Sequence, residues 1–184
     1  MDLETDEVLM GRIQTEDHQA FTQLVDRHLK TIHGFAWRML NNVTDAEDIA
    51  QETFLRVWRN AQQWQPKNAQ VLTWIHRIAH NLCIDLQRRR KRITEDIDDH
   101  ADTLSADINL TEELVKAQTA QRVSKALQTL PERQRGAIVL CYYQGLSNQE
   151  AASVLDISVQ ALESLMARGR RTLKQLLLEE TVNG

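Results

Sequence analysis

The sequence predicts an all-α protein of two small helical domains joined by a flexible acidic linker, the second containing a helix-turn-helix. Three observations carry this. Glycine and proline are scarce, at six and two in 184 residues, and alternating β-branched runs are nearly absent, so turns and strands lack their usual material. Apolar residues instead recur at three- and four-residue steps along most of the chain, the period of a helix with one covered face. Charge is segregated as well: eight acidic residues and no Lys or Arg lie between Thr94 and Glu113, while the flanking segments end or run basic. The net charge of -4 is therefore an average over unlike parts and does not exclude a nucleic-acid partner.

The N-terminal MDLETDEVLM is acidic and lacks an apolar run, so nothing directs export or membrane insertion and the expected location is cytoplasmic. Cys83 and Cys141 are the only cysteines. Each falls in a predicted helix without a partner at metal-ligand spacing, which makes them small core residues.

A short helix around Asp6 to Ile13 precedes a longer one, in which Phe21, Leu24, Val25, Leu29, Ile32, Phe35, Ala36 and Leu40 form a core stripe. Asn41 and Asn42 make the turn, and Thr44 with Glu47 reads as a capping box opening a helix from Asp45 to about Asn60. Its apolar side holds Ala46, Ile49, Ala50, Phe54, Val57 and Trp58; its other side holds Asp45, Asp48, Glu52, Leu55 and Arg59. A leucine among acids on an outward face suits a protein partner with basic and apolar surface, or is one stray exposed leucine. The loop Ala61 to Ala69 is polar, contains Pro66 and leads into the next helix.

That helix, Val71 to Arg92, starts amphipathic and ends in five consecutive basic residues. Leu72, Ile75, Ile78, Ala79, Leu82 and Leu86 share the core arc. The opposite arc carries Thr73, Arg77, Asn81, Ile84 and Arg88, with Trp74 on its shoulder. Cations, an amide and a ring together are the chemistries that hold phosphates and stack or read bases. The alternative is a solvated face with a basic end favoured by the helix dipole.

Beyond Arg92 the period dissolves into ITEDIDDHADTLSADIN, the composition of a linker. The expected division is residues 1–92, an acidic linker 93–112, and a second domain 113–184. In the second domain Glu113 to Thr129 carries Leu114, Ala117, Ala120, Val123 and Leu127 as a stripe. Leu130 and Pro131 break it, and a helix from Glu132 to Tyr143 ends at Gln144 and Gly145. Ser147 and Glu150 form a capping box for the helix Asn148 to Leu155; Asp156, Ile157 and Ser158 make a tight turn, and Val159 to Leu178 is the last helix. Two helices joined by so short a turn, with the small Ala151 and Ala152 at the crossing, are a helix-turn-helix. Its second helix would enter the major groove N-terminal end first. Ser158, Gln160, Ala161, Ser164 and Leu165 would then face bases, and Arg168, Arg170, Arg171 and Lys174 the backbone.

Together these segments resemble an extracytoplasmic-function (ECF) sigma factor of bacterial RNA polymerase. DAEDIAQETFLRVWRN followed by TWIHRIAHNLCIDLQRRR resembles the family's region two, and LPERQRGAIVLCYYQGLSNQEAASVLDISVQALESLMARGRRTL its region four. The resemblance implies that Asp45, Asp48, Glu52, Leu55 and Arg59 bind core RNA polymerase at the clamp helices of its largest subunit, with a further contact to the flap of the second largest. It implies that Trp74, Arg77, Asn81, Arg88, Arg89, Lys91 and Arg92 hold the minus-ten element of promoter DNA, with Asn81 the base reader, and that Ser158 to Arg171 reads the minus-thirty-five element. Ile75 stands where the wider family has a second aromatic beside Trp74, and Glu163 and Leu165 stand where many members are basic, which shifts phosphate contact to Arg168, Arg170 and Arg171. An anti-sigma factor is a further implied partner. No cofactor, metal or catalytic set is implied, because the polymerase performs the chemistry. Two other readings compete: a stand-alone helix-turn-helix regulator, for which the chain shows no sustained heptad or separate dimer domain, and an enzyme or zinc site built on His76 and His80, which lack an acidic ligand between them.

Overall fold

The computed structural model describes residues 4–67, 69–96 and 112–182, and all its regular structure there is helical. The first unit contains α1 (Asp6–Ile13), α2 (His18–Leu40), α3 (Val43–Arg59) and α4 (Val71–Asp96). Asp17 caps α2 by accepting from the amides of Gln19 and Ala20, and Asn41, in the left-handed region at φ 52°, ends it. The start of α3 differs from the sequence expectation. Asn42, not Thr44, is the N-cap, its side chain accepting from the Asp45 amide, so the helix begins two residues early. The core is built from Leu24, Ile32, Phe35, Met39, Phe54, Val57, Ile75 and Ala79, all buried.

The second unit contains α5 (Glu112–Thr129), α6 (Glu132–Ile138), α7 (Asn148–Leu155) and α8 (Val159–Val182). The single helix expected over Glu132 to Tyr143 is divided: after Ile138 it widens into a π-helical turn, Val139–Tyr143, in which the Gln144 amide donates to the Val139 carbonyl at 3.0 Å. One extra residue is thereby accommodated before Gly145, at φ +68°. The Ser147–Glu150 capping box forms with both of its bonds, and Asp156 takes the left-handed conformation at φ 54° that the short turn requires. Gly169 lets α8 cross α6 closely, since a Cβ there would lie 3.1 Å from Ile138 Cγ1.

Within the stretch 93–112, α4 continues to Asp96 and α5 begins at Glu112; residues 97–111 lie outside those described. The two units are packed together. Arg135 is buried and donates to four carbonyls, Leu127 (3.0 Å), Gln128 (3.0 Å) and Leu130 (3.1 Å) at the end of α5 and Met39 (2.6 Å) at the end of α2. Burial lowers its pKa, with Glu132 opposing that shift. Gln128 reaches the Arg38 carbonyl at 2.9 Å and Ser124 the Asn41 side chain at 2.7 Å.

Candidate nucleic-acid and polymerase interfaces

An apolar groove of about 750 Å³ runs between α2 and α3, lined by Phe21, Val25, Leu29, Phe54 and Leu55, with Glu47, Asp48 and Gln51 along one rim and Lys30 and His33 along the other. Leu29 and Leu55 remain 43% and 42% exposed, so an apolar strip continues from the groove to the surface beside carboxylates. Two predicted partner-binding residues, Asp48 and Leu55, meet here. The other three do not. Asp45 has its carboxylate held by both terminal nitrogens of Arg90, at 2.6 and 2.7 Å, Glu52 pairs with Arg56 at 2.8 Å, and Arg59 is exposed farther along the helix. The α2 wall of the groove escaped the sequence reading, which assigned Phe21, Val25 and Leu29 wholly to the core. The available signal was the width of that stripe, broader than one core face needs.

On α4, Arg77, Asn81, Arg88, Arg89, Lys91 and Arg92 are exposed and Trp74 is half-buried. The outward arc nevertheless departs from expectation, for Thr73 and Ile84 are buried at 3% and 6% exposure. They are covered by the second unit, as is His76. The Arg77 guanidinium donates to Ser153 of α7, with Nε 3.2 Å from its carbonyl oxygen, Nη2 to the same oxygen, and Nη2 3.0 Å from Oγ. Thr73 Oγ1 lies 3.5 Å from Glu150, whose pKa is lowered chiefly by the Ser147 hydroxyl.

His76 and His80 face this same junction. His76 Nδ1 donates to the Leu72 carbonyl at 2.9 Å and its Nε2 lies 3.3 Å from the Gln144 amide; burial lowers its pKa. His80 is pulled down to about 4, again mainly by burial, and its Nδ1 has no partner. Its Nε2 would lie 3.5 Å from a Cβ at Gly136, an ordinary contact distance, and the tighter approach at that position is the 3.3 Å to Leu155 Cδ2. A polar cleft of about 420 Å³ beside them is lined by Asn81, Arg88, Arg133, Asp85 and Leu165 among others.

The loop expected to meet DNA is anchored from beneath. Ala61–Gln63 forms a 3-10 turn, Trp64 is buried with its indole donating to the Ala69 carbonyl at 3.1 Å, and Gln14 donates to the Ala61 and Trp64 carbonyls. Gln62, Gln63, Gln65 and Lys67 stay exposed on it. Cys83 is buried, which pushes its thiol pKa up to about 12.

Along α8, Gln160, Ser164, Arg168 and Arg171 are exposed. Ser158 instead caps the helix, accepting from the Ala161 amide at 3.1 Å, and Ala161 is partly covered. Leu165 turns into the cleft and packs on the core, while Arg170 donates to the Tyr142 hydroxyl at 3.1 Å. The cations and the amide of α8 are thus exposed, while the shorter side chains at the start of the helix serve the helix itself.

A basic helix in one unit and a helix-turn-helix in the other define the class: a two-headed helical nucleic-acid-binding protein with a separate apolar groove. Family comparison agrees. Residues 24–93 match Sigma-70 region 2 and residues 120–173 match Sigma-70, region 4. The chain is 34% identical to the ECF RNA polymerase sigma factor SigE of Mycolicibacterium smegmatis over 88% of its own length, spanning 63% of that relative. It is 31% identical to the ECF RNA polymerase sigma factor SigW of Bacillus subtilis, with 90% of this chain and 93% of the relative aligned. Among solved structures, CnrH in complex with the cytosolic domain of CnrY matches with a TM-score of 0.71 at 29% identity, covering 95% of this chain and 97% of that one. The sigma factor RpoE in complex with the anti-sigma factor NepR from Bartonella quintana matches at 0.69 and 25% identity, covering 85% and 96%. The chain belongs to the ECF RNA polymerase sigma factors.

Among the described residues no helix is long and apolar enough to cross a membrane.

Proposed function

We propose that the chain binds core RNA polymerase, directs it to a set of promoters and assists strand opening, working in the cytoplasm with the polymerase supplying all catalysis. The α2–α3 groove, with Asp48 and Leu55, takes a basic amphipathic helical element of the polymerase clamp; the second unit contacts the flap. The observation that carries the reading is the exposed set Arg77, Asn81, Arg88 and Arg89 on α4 in the same chain as a capped helix-turn-helix. Phosphate contacts along α4 hold a single strand, and a flipped base read by an amide such as that of Asn81 offsets the few kcal/mol needed to unstack it. Gln160, Ser164, Arg168 and Arg171 of α8 meet the minus-thirty-five duplex.

An anti-sigma factor that covers the groove and the promoter-facing surfaces is the expected restraint, a reading supported by the fold shared with RpoE, which was solved with the anti-sigma factor NepR. The deciding experiment adds the purified chain to core polymerase and maps transcript starts across the source genome. Starts clustered behind one pair of elements with a fixed spacing are expected; starts indistinguishable from those of core polymerase alone would refute the proposal.

A further inference from the structure

Helix α1 precedes the stretch that matches Sigma-70 region 2, which starts at residue 24, yet its end reaches the loop that leads into α4. Gln14 caps α1 and directs its side-chain amide at that loop, with Nε2 3.0 Å from the Ala61 carbonyl and 3.0 Å from the Trp64 carbonyl. Both amide donors are thereby used. Gln62 answers from the loop, its own amide donating to the Gln14 carbonyl. Residues 47 to 50 positions apart in the chain are thus joined by bonds running in both directions.

The anchor is itself fixed. Leu9, Met10 and Ile13 bury the inner face of α1, and Arg12 pairs with Glu4 on one side and, at 2.8 Å, with Asp17 on the other. On the loop side Ala61 and Trp64 are buried, and the Trp64 indole closes the loop on the Ala69 carbonyl at 3.1 Å. The Ala61 oxygen also accepts from the Trp64 amide at 3.1 Å, so the oxygen that closes the 3-10 turn is the one that ties it to α1. Gln62, Gln63, Gln65 and Lys67 are left exposed. Those are amides that both donate to and accept from a base edge, and an ammonium suited to phosphate.

We infer that Gln14 is a positioning residue for promoter reading: by holding the Ala61 and Trp64 carbonyls it fixes how the loop presents its amides to an unstacked base of the minus-ten element. The role rests on the assignment of α4 and its preceding loop to that element. A reading group discriminates well only when held to within about 0.5 Å and 10–20° of its productive geometry. A connection whose regular structure is one 3-10 turn draws little of that precision from its own backbone, so it has to come from beneath. Glutamine suits the task. Glutamate at this position would set an acceptor against two carbonyl oxygens, and asparagine is one methylene shorter.

The test uses the full chain assembled with core polymerase. The templates are duplexes built on the strongest start found by transcript mapping, with the minus-ten element randomised and a barcode in the transcribed part. Counting barcodes gives the ratio of best to worst base at each position. Gln14→Met keeps the stem and removes both donors; it should lower that ratio about tenfold at one position or more, the worth of two ordinary hydrogen bonds. Gln14→Lys still donates and should recover about threefold, one bond's worth. A residue that only supports the fold would lower output from every template alike and leave the ratios unchanged. Binding of Gln14→Met to core polymerase should stay within about twofold of wild type, because Gln14 lies outside the α2–α3 groove. Wild-type ratios in a folded Gln14→Met overturn the inference alone. A loss that Gln14→Lys does not reduce assigns the effect to packing rather than to the donors and also overturns it. A wild type without base preference in the pool refutes the promoter assignment itself. If Gln14→Met does not fold, Gln14→Asn takes its place: lowered ratios are expected, and unchanged ratios overturn the inference.

Discussion

Removing the Arg135 guanidinium should separate the second unit's stability from the first's. Its five donors serve the Leu127 and Gln128 carbonyls in the last turn of α5, the Leu130 carbonyl just beyond it and the Met39 carbonyl at the end of α2. Arg135→Met keeps the apolar stem and removes every donor. Hydrogen bonds from a charged group contribute about 1.5–3 kcal/mol each, but they are not additive here and some carbonyls regain water, so the net loss is about 3–5 kcal/mol. For a chain of this size each kcal/mol moves the midpoint by about 2–4 °C, which predicts a fall of about 10 °C. Arg135→Lys, with one compact ammonium in place of a planar fork, should lose about half as much. All four tryptophans, Trp37, Trp58, Trp64 and Trp74, lie in the first unit. Thermal melts followed by circular dichroism should therefore show the full shift, whereas tryptophan fluorescence should move by less than about 4 °C, the share of the Met39 bond. A dichroism midpoint within about 3 °C of wild type, corresponding to roughly 1 kcal/mol, would refute the view that this guanidinium caps α5.

Packing of the second unit against α4 should depend on pH through His76 and His80. Burial depresses both, His80 to about 4; Asn81 opposes the shift at His80 while Arg133 and Arg88 add to it, and at His76 the Leu72 carbonyl, Gln144 and Glu150 oppose it while His28 adds to it. Separation of the units returns each ring toward 6.5, so the separated form binds more protons. The packed form is then fully favoured above about 6.5 and is lost as pH falls toward 4, which scattering between pH 7.5 and 5 checks by an increase in radius of gyration. Ser147→Ala should destabilise the second unit by about 0.5–2 kcal/mol through loss of the α7 cap, measured in urea by dichroism. Arg88→Ala with Arg89→Ala should flatten the slope of log binding against log salt for a single strand by about 1.4, and an unaltered slope would count against phosphate contact there.

Local chemistry made most of the fold readable. A capping box at Ser147 and Glu150, a residue suited to the left-handed region at Asp156 and an apolar stripe on α2 each act within a few residues, so the sequence displays them directly. Failures came where two local solutions were both available or where the cause lay elsewhere in the chain. Asn42 and Thr44 are both good caps, and only the path of the turn after Asn41 favours the first. The π turn after Ile138 inserts one residue without changing the apolar pattern enough to be seen. Leu29 belongs to a helical stripe whether it is covered by core or lines an open groove.

The most instructive case is α4. Thr73, His76, His80 and Ile84 form a second stripe at three- and four-residue steps, mixed in polarity, beside the apolar one. Periodicity shows that such a face is organised but not what covers it. Arginine, threonine, histidine and asparagine are the residues a nucleic-acid surface uses, and they also suit a polar contact that must form and release within one chain, because their hydrogen bonds exchange with water at little net cost. The two roles are therefore indistinguishable in composition. They separate at Ser153, where a helix-end carbonyl occupies Arg77 and gives the guanidinium an intramolecular partner of the same polarity as a phosphate. A face so matched to two partners can be released by the stronger one, and the backbone carbonyl, which carries only a partial charge, is the weaker.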